Sequence, residues 1–97
     1  MSKKWARIRA EYESLKERVW IHAFDAVTEL EEAHKRNDQP AMDVARKVLK
    51  LRARALKAHT GQILPQIPED FCRFDYVSRQ KIIKALRCAL CDGTGGK

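Results

Sequence analysis

Between Ser2 and Lys35 the chain contains neither glycine nor proline. Both interrupt helices, glycine through backbone freedom and proline through its missing N–H and its clash with the preceding turn. A run of this length without either points to one helix much longer than the usual three or four turns. The apolar residues agree. Trp5, Ile8, Tyr12, Leu15, Val19, Ala26, Leu30 and Ala33 follow one another at steps of three, four or seven. That is the stripe of a helix packed lengthwise against another. Trp20, Ile21 and Phe24 project from the other side, so the helix is apolar on two faces near its middle. The second face needs a cover, either a later helix of this chain or a partner.

The segment KRNDQP ends this helix. Asn37 suits a left-handed C-terminal position, Asp38 an N-cap, and Pro40 the first turn of a new helix. So short a turn brings the second helix back antiparallel, as far as about His59, with Gly61 placed to end it. Ala41, Val44, Ala45, Val48, Leu51 and Ala55 are expected to form its inward face. Lys47, Lys50, Arg54 and Lys57 form a basic stripe opposite, with Arg46 beside it. Such a stripe is either a solvated face or a landing strip for phosphate or carboxylate groups. Arg52 falls within the apolar arc, as does His59, so Arg52 is expected to pair with a glutamate of TELEE on the first helix or to point at something outside the chain.

TGQILPQIPEDFCRF is irregular. The bonds before Pro65 and Pro68 favour extended backbone and exclude a helix. The segment reads as a stiff linker, or as an exposed, apolar-flanked X-Pro loop of the kind a prolyl isomerase binds. A third helix is expected from Asp75 or Ser78 through RQKIIKALRCAL, with Ile82, Ile83, Leu86 and Leu90 inward. Phe71, Phe74 and Tyr76 precede it as a hydrophobic plug or as interface anchors. The expected fold is therefore all-α. It has a helical hairpin over residues 1–60, a proline-containing linker over 61–75, and a short third helix with a Gly-rich tail over 76–97. Together these make one small domain.

A formal charge of +7, from 20 Lys and Arg against 13 Asp and Glu, suits an acidic partner, either nucleic acid or a protein surface. The start MSKKWARIRAEYESL has no signal-peptide core, and no segment has the ~18 apolar residues of a membrane helix. A cytoplasmic protein without membrane contact is expected. No Ser, His and Asp set, paired carboxylates or phosphate-binding glycine loop suggests an enzyme. Nor does the second helix read as one half of a helix-turn-helix, so DNA contact is expected to be secondary or indirect.

The last motif is CALCDGTG, Cys88 to Gly95, one copy of the C-x-x-C-x-G-x-G repeat that DnaJ-type chaperones use to bind zinc. The similarity covers eight residues and implies no chaperone activity. Two thiolates do not close a tetrahedral site. With three cysteines in the chain, Cys72 is the candidate third ligand and His22, His34 or His59 the fourth. A two-fold pair of chains would supply two CxxC motifs instead. Zinc is thus an option and no cofactor is required.

Over its full length the chain resembles the small anti-RecBCD proteins of temperate short-tailed phages of enterobacteria. The resemblance is carried by MSKKWARIRAEYESLKERVW, by HKRNDQPAMDVARKVLKLRARALKAHTG, by the proline linker and by CALCDGTGG. It implies a phage protein that binds the host RecBCD helicase–nuclease through its RecC subunit and leaves a helicase in place. Nuclease activity and Chi recognition would change, protecting phage DNA ends and feeding them to the phage's recombinase. The family has no short diagnostic motif, so no residue role is carried over. From the residues themselves, Trp20, Phe24, Arg52, Phe71, Phe74 and Tyr76 are the partner-binding candidates.

Overall fold

The computed structural model describes residues 3–93, with side chains as far as Cys91. It is all-α. Helix α1 spans Lys3–Lys35, α2 Gln39–Thr60 and α3 Tyr76–Gly93, with a single 3-10 turn at Phe71–Arg73. The described residues contain no strand.

The first turn is built as its residue types require. Asn37 takes a positive φ of 54°, tolerable for a short polar side chain. Asp38 caps α2, its carboxylate accepting a hydrogen bond from the Ala41 amide at 3.2 Å. Pro40 sits in the first turn, where its missing N–H costs nothing. At the far end Gly61 adopts φ 79° and donates its N–H to the Lys57 carbonyl at 2.9 Å, the left-handed ending that glycine permits.

The return segment is strapped down rather than loose. Leu64 and Phe71 are buried and Ile67 packs against the core. Gln62 donates through Nε2 to the Ala89 carbonyl at 2.6 Å. At about 3.1 Å per extended residue, positions 61–71 cover the same ~33 Å as the 22 residues of α2. The strap therefore carries the chain back to the start of α2, and α3 runs parallel to α2 and antiparallel to α1. No cis peptide bond occurs among the described residues.

All three helices and the strap feed one core. Val27, Leu30, Met42, Leu49, Leu56, Phe71, Leu86 and Leu90 are fully buried, with Ala23, Ala26, Ala33 and Ala45 where backbones approach closely. The face that α2 turns inward differs from the expected one. Met42, Ala45, Leu49 and Leu56 are buried, whereas Val44 and Leu51 are exposed. The reason is volume. Three helices meet here rather than two, and the long side chains of Met42, Leu49 and Leu56 fill a space that an Ala/Val face would leave empty.

That rotation leaves Arg52 exposed, which fits its outward reading rather than a pairing with a glutamate of TELEE. Arg87 on α3 takes Glu31 of TELEE at 2.6 Å. The second face of α1 is covered in part within the chain: Trp20 and Phe24 are half-buried and Ile21 stays exposed. Trp20 donates from Nε1 to the Leu90 carbonyl at 3.3 Å, the Trp20 and Phe24 rings stack at 5.5 Å, and the Arg87 guanidinium lies 5.3 Å over Phe24.

Helix α1 outruns its neighbours. Tyr12 Oη reaches the His59 carbonyl at the end of α2 at 3.4 Å, so the turns before Tyr12 extend past the bundle. The molecule is 56 × 26 × 19 Å, its long axis close to the ~50 Å length of α1.

Candidate interaction surfaces

Two surfaces offer chemistry to the outside. The first is the protruding end of α1. Trp5 is 66% exposed, and Ile8 and Tyr12 are exposed with it. These three continue the stripe that α2 and α3 cover further along, in a stretch that also holds Lys3, Lys4, Arg7 and Arg9. Lys16 sits 4.7 Å over the Tyr12 ring.

The second is α2. Lys47, Lys50, Arg54 and Lys57 are all exposed, and no carboxylate occurs in the sequence between Asp43 and Glu69. Arg46 stands apart. It is half-buried, approaches Asp43 at 3.7 Å, and its Nε is buried without a hydrogen-bond partner.

The remaining partner candidates are placed as follows. Phe71 is completely buried and belongs to the core, on a turn that packs against α2, so it is not an anchor for a partner. Phe74, Trp20 and Phe24 are half-buried. Tyr76 is exposed on one side and stacks on His34 at 4.2 Å on the other. Pro65 is exposed and Pro68 half-buried, between the buried Leu64 and Phe71.

The three cysteines are not brought together. Cys72 lies at the start of α2, its Sγ 3.4 Å from Asp43 Oδ1 and 3.9 Å from the Gln39 carbonyl. Cys88 and Cys91 are near the other end of α3, about 18 Å further along the helix axis. Burial, then the hydrogen bond to Asp43, pushes the Cys72 thiol above its ordinary value of 9.0. The fold therefore sets Cys72 apart from the CxxC pair. No group of three His, Cys, Asp or Glu side chains able to hold a metal ion occurs among the described residues. Cys88 and Cys91 are both exposed, one turn apart. Gly95, the last residue of the motif, lies outside the described residues.

Sequence reasoning passed over one polar cluster, at the turn end of the bundle. Arg79 is buried, donating from Nη2 to Asn37 Oδ1 and from Nη1 to Met42 Sδ, each at 3.2 Å, with Nε unpartnered. His34 is buried with neither ring nitrogen hydrogen-bonded. Burial first, then the Arg79 charge, lowers its pKa from the ordinary 6.5, against a weaker pull from Glu31. The usable signal was periodicity: Arg79 lies four and seven residues from the inward Ile83 and Leu86.

No family model, curated protein or solved structure matches the chain.

Proposed function

We propose that this chain is a non-enzymatic phage protein that binds the host RecBCD helicase–nuclease in the host cytoplasm, through RecC, and modulates it. Nuclease activity and Chi recognition change, and DNA ends pass to the phage's recombinase. The full-length resemblance supports the choice of target. Binding as the mode of action is supported chiefly by the apolar stripe Trp5, Ile8 and Tyr12, left uncovered on a helix end that protrudes from the bundle. An exposed aromatic and aliphatic row of this kind is what interface anchors are made of. Basic residues around it would speed encounter with an acidic surface and make association salt-sensitive.

A host prolyl isomerase is a further partner on this reading, taking the bond before Pro65 or Pro68 on the strap; exposure favours Pro65. Retained activity and lost isomerase capture are expected of a Pro65→Ala, Pro68→Ala chain if the isomerase is a bystander; loss of both is expected if it is required. The second reading is a small nucleic-acid-binding regulator, favoured by the carboxylate-free basic row of α2. Degradation of linear duplex DNA by RecBCD, with and without the protein and with and without a Chi site, tests the first reading. Altered end degradation and a lost Chi response are expected. Unaltered RecBCD together with steeply salt-dependent DNA binding would favour the second.

A further inference from the structure

Helix α2 carries two apolar faces, and the fold consumes one. Ala41, Val44, Val48, Leu51, Ala55 and Ala58 follow one another at alternating steps of three and four, the spacing of a coiled-coil seam. At 100° per residue this line is centred roughly 120° around the helix from the packed Met42–Leu49–Leu56 line. Val44 and Leu51 are 62% and 63% exposed. Ala58 is also exposed, while Ala41, Val48 and Ala55 are half-buried along the core edge. The seam is about 26 Å long, five turns of helix.

Cations flank it. Lys47 and Arg54 lie along one edge and Arg52 along the other, all exposed, at the heptad positions where coiled coils choose partners by charge. Only at the turn end does the sign change. There an open groove of about 440 Å³ between α1 and α2 is lined by three carboxylates, Glu29, Glu32 and Asp38, against one cation, Arg36, with Ala41 and Val44 at the seam.

We propose that this seam is the seat of an acidic amphipathic helix from another protein. The partner's apolar side chains, at i, i+3, i+4 and i+7, lie over Val44, Val48, Leu51 and Ala55. Its carboxylates face Lys47, Arg52 and Arg54, and a cation at its end meets Glu29 and Glu32. Charge decides against a second copy of α2, which would set Lys47, Arg52 and Arg54 against their own kind in either orientation. The apolar row decides against nucleic acid, since phosphates would gain from the cations but leave Val44 and Leu51 without a partner. This surface belongs to α2 itself and does not depend on RecBCD being the target.

The test uses the full-length chain and a fluorescent three-heptad peptide with Leu and Ile in its seam and Glu at both flanking positions. A peptide with Lys at those positions and a labelled DNA duplex run beside it at matched salt. The acidic peptide is expected to bind about tenfold or more tightly than either. In the chain, Val44→Gln with Leu51→Gln is expected to weaken the acidic peptide by a similar factor while leaving helicity and Tm unchanged, because both side chains already face solvent. Undiminished binding by that variant would overturn the proposal, reducing the interaction to bare charge. So would tighter binding of the duplex, or self-association of the chain that the same variant abolishes.

Discussion

Arg87 on α3 holds both carboxylate oxygens of Glu31 on α1, through Nε at 2.6 Å and Nη2 at 3.2 Å. The same Nη2 lies 3.4 Å from Thr28 Oγ1. This two-pronged, charge-assisted contact is the main polar tie between α3 and α1. Both side chains keep partial access to water, which places its strength below that of a buried pair. Arg87→Ala should cost about 1–2 kcal/mol, part of it from lost cover over Phe24. Urea denaturation measures this, and a midpoint identical to that of the parent chain would contradict the assignment.

His34 and Glu31 give the fold a two-stage acid response. Both have pKa values lowered on folding, His34 from 6.5 by burial and Arg79, Glu31 from 4.5 by its hydrogen bond to Arg87. A group whose folded pKa is depressed contributes fully above its unfolded value, and the contribution fades as pH falls. Stability should therefore decline first below about pH 6.5, as unfolded chains take up a proton that buried His34 refuses, and again below about pH 4.5. Tm measured across pH should show both stages, with the first absent from His34→Gln. A flat profile between pH 6.5 and 5 would contradict it.

Phe71 is the plug that joins the strap to the core. It is among the largest fully buried side chains, so Phe71→Ala should cost about 3–5 kcal/mol. In a domain of this size that approaches the whole stability. Calorimetry should show an unfolding transition lost or displaced far down, whereas Phe71→Leu should keep a cooperative one.

The long first helix, the turn at Asn37 and Asp38, the glycine ending at Gly61 and the inward row of α3 were legible because each rests on local chemistry. The inward face of α2 was not. Both of its apolar lines satisfy helical periodicity, and the choice between them is made by the volume that α3 and Phe71 leave to fill. The same ambiguity left two readings for Arg52, and its exposure fits the outward one, leaving Glu31 to Arg87. The strap was legible as extended, but its docking through Leu64 and Gln62 depends on long-range contacts that no local pattern announces. The protrusion of α1 was within reach: 33 residues against 22 leaves about 16 Å uncovered.

That protrusion yields the next prediction. Trp5→Ser with Ile8→Ser removes two exposed side chains on the turns that extend past the bundle, so stability should change by less than about 0.5 kcal/mol. Binding to RecBCD should weaken about tenfold or more, read by surface plasmon resonance. A folded variant with undiminished binding would take the α1 end out of the interface.

The most direct measurement is co-elution of the purified chain with RecBCD on a sizing column at about 200 mM salt, with duplex DNA alone run in parallel. Elution with the enzyme and not with the DNA is the expected result. Elution with DNA alone, leaving RecBCD unaccompanied, would contradict a protein-directed inhibitor and make the basic row of α2 the seat of function.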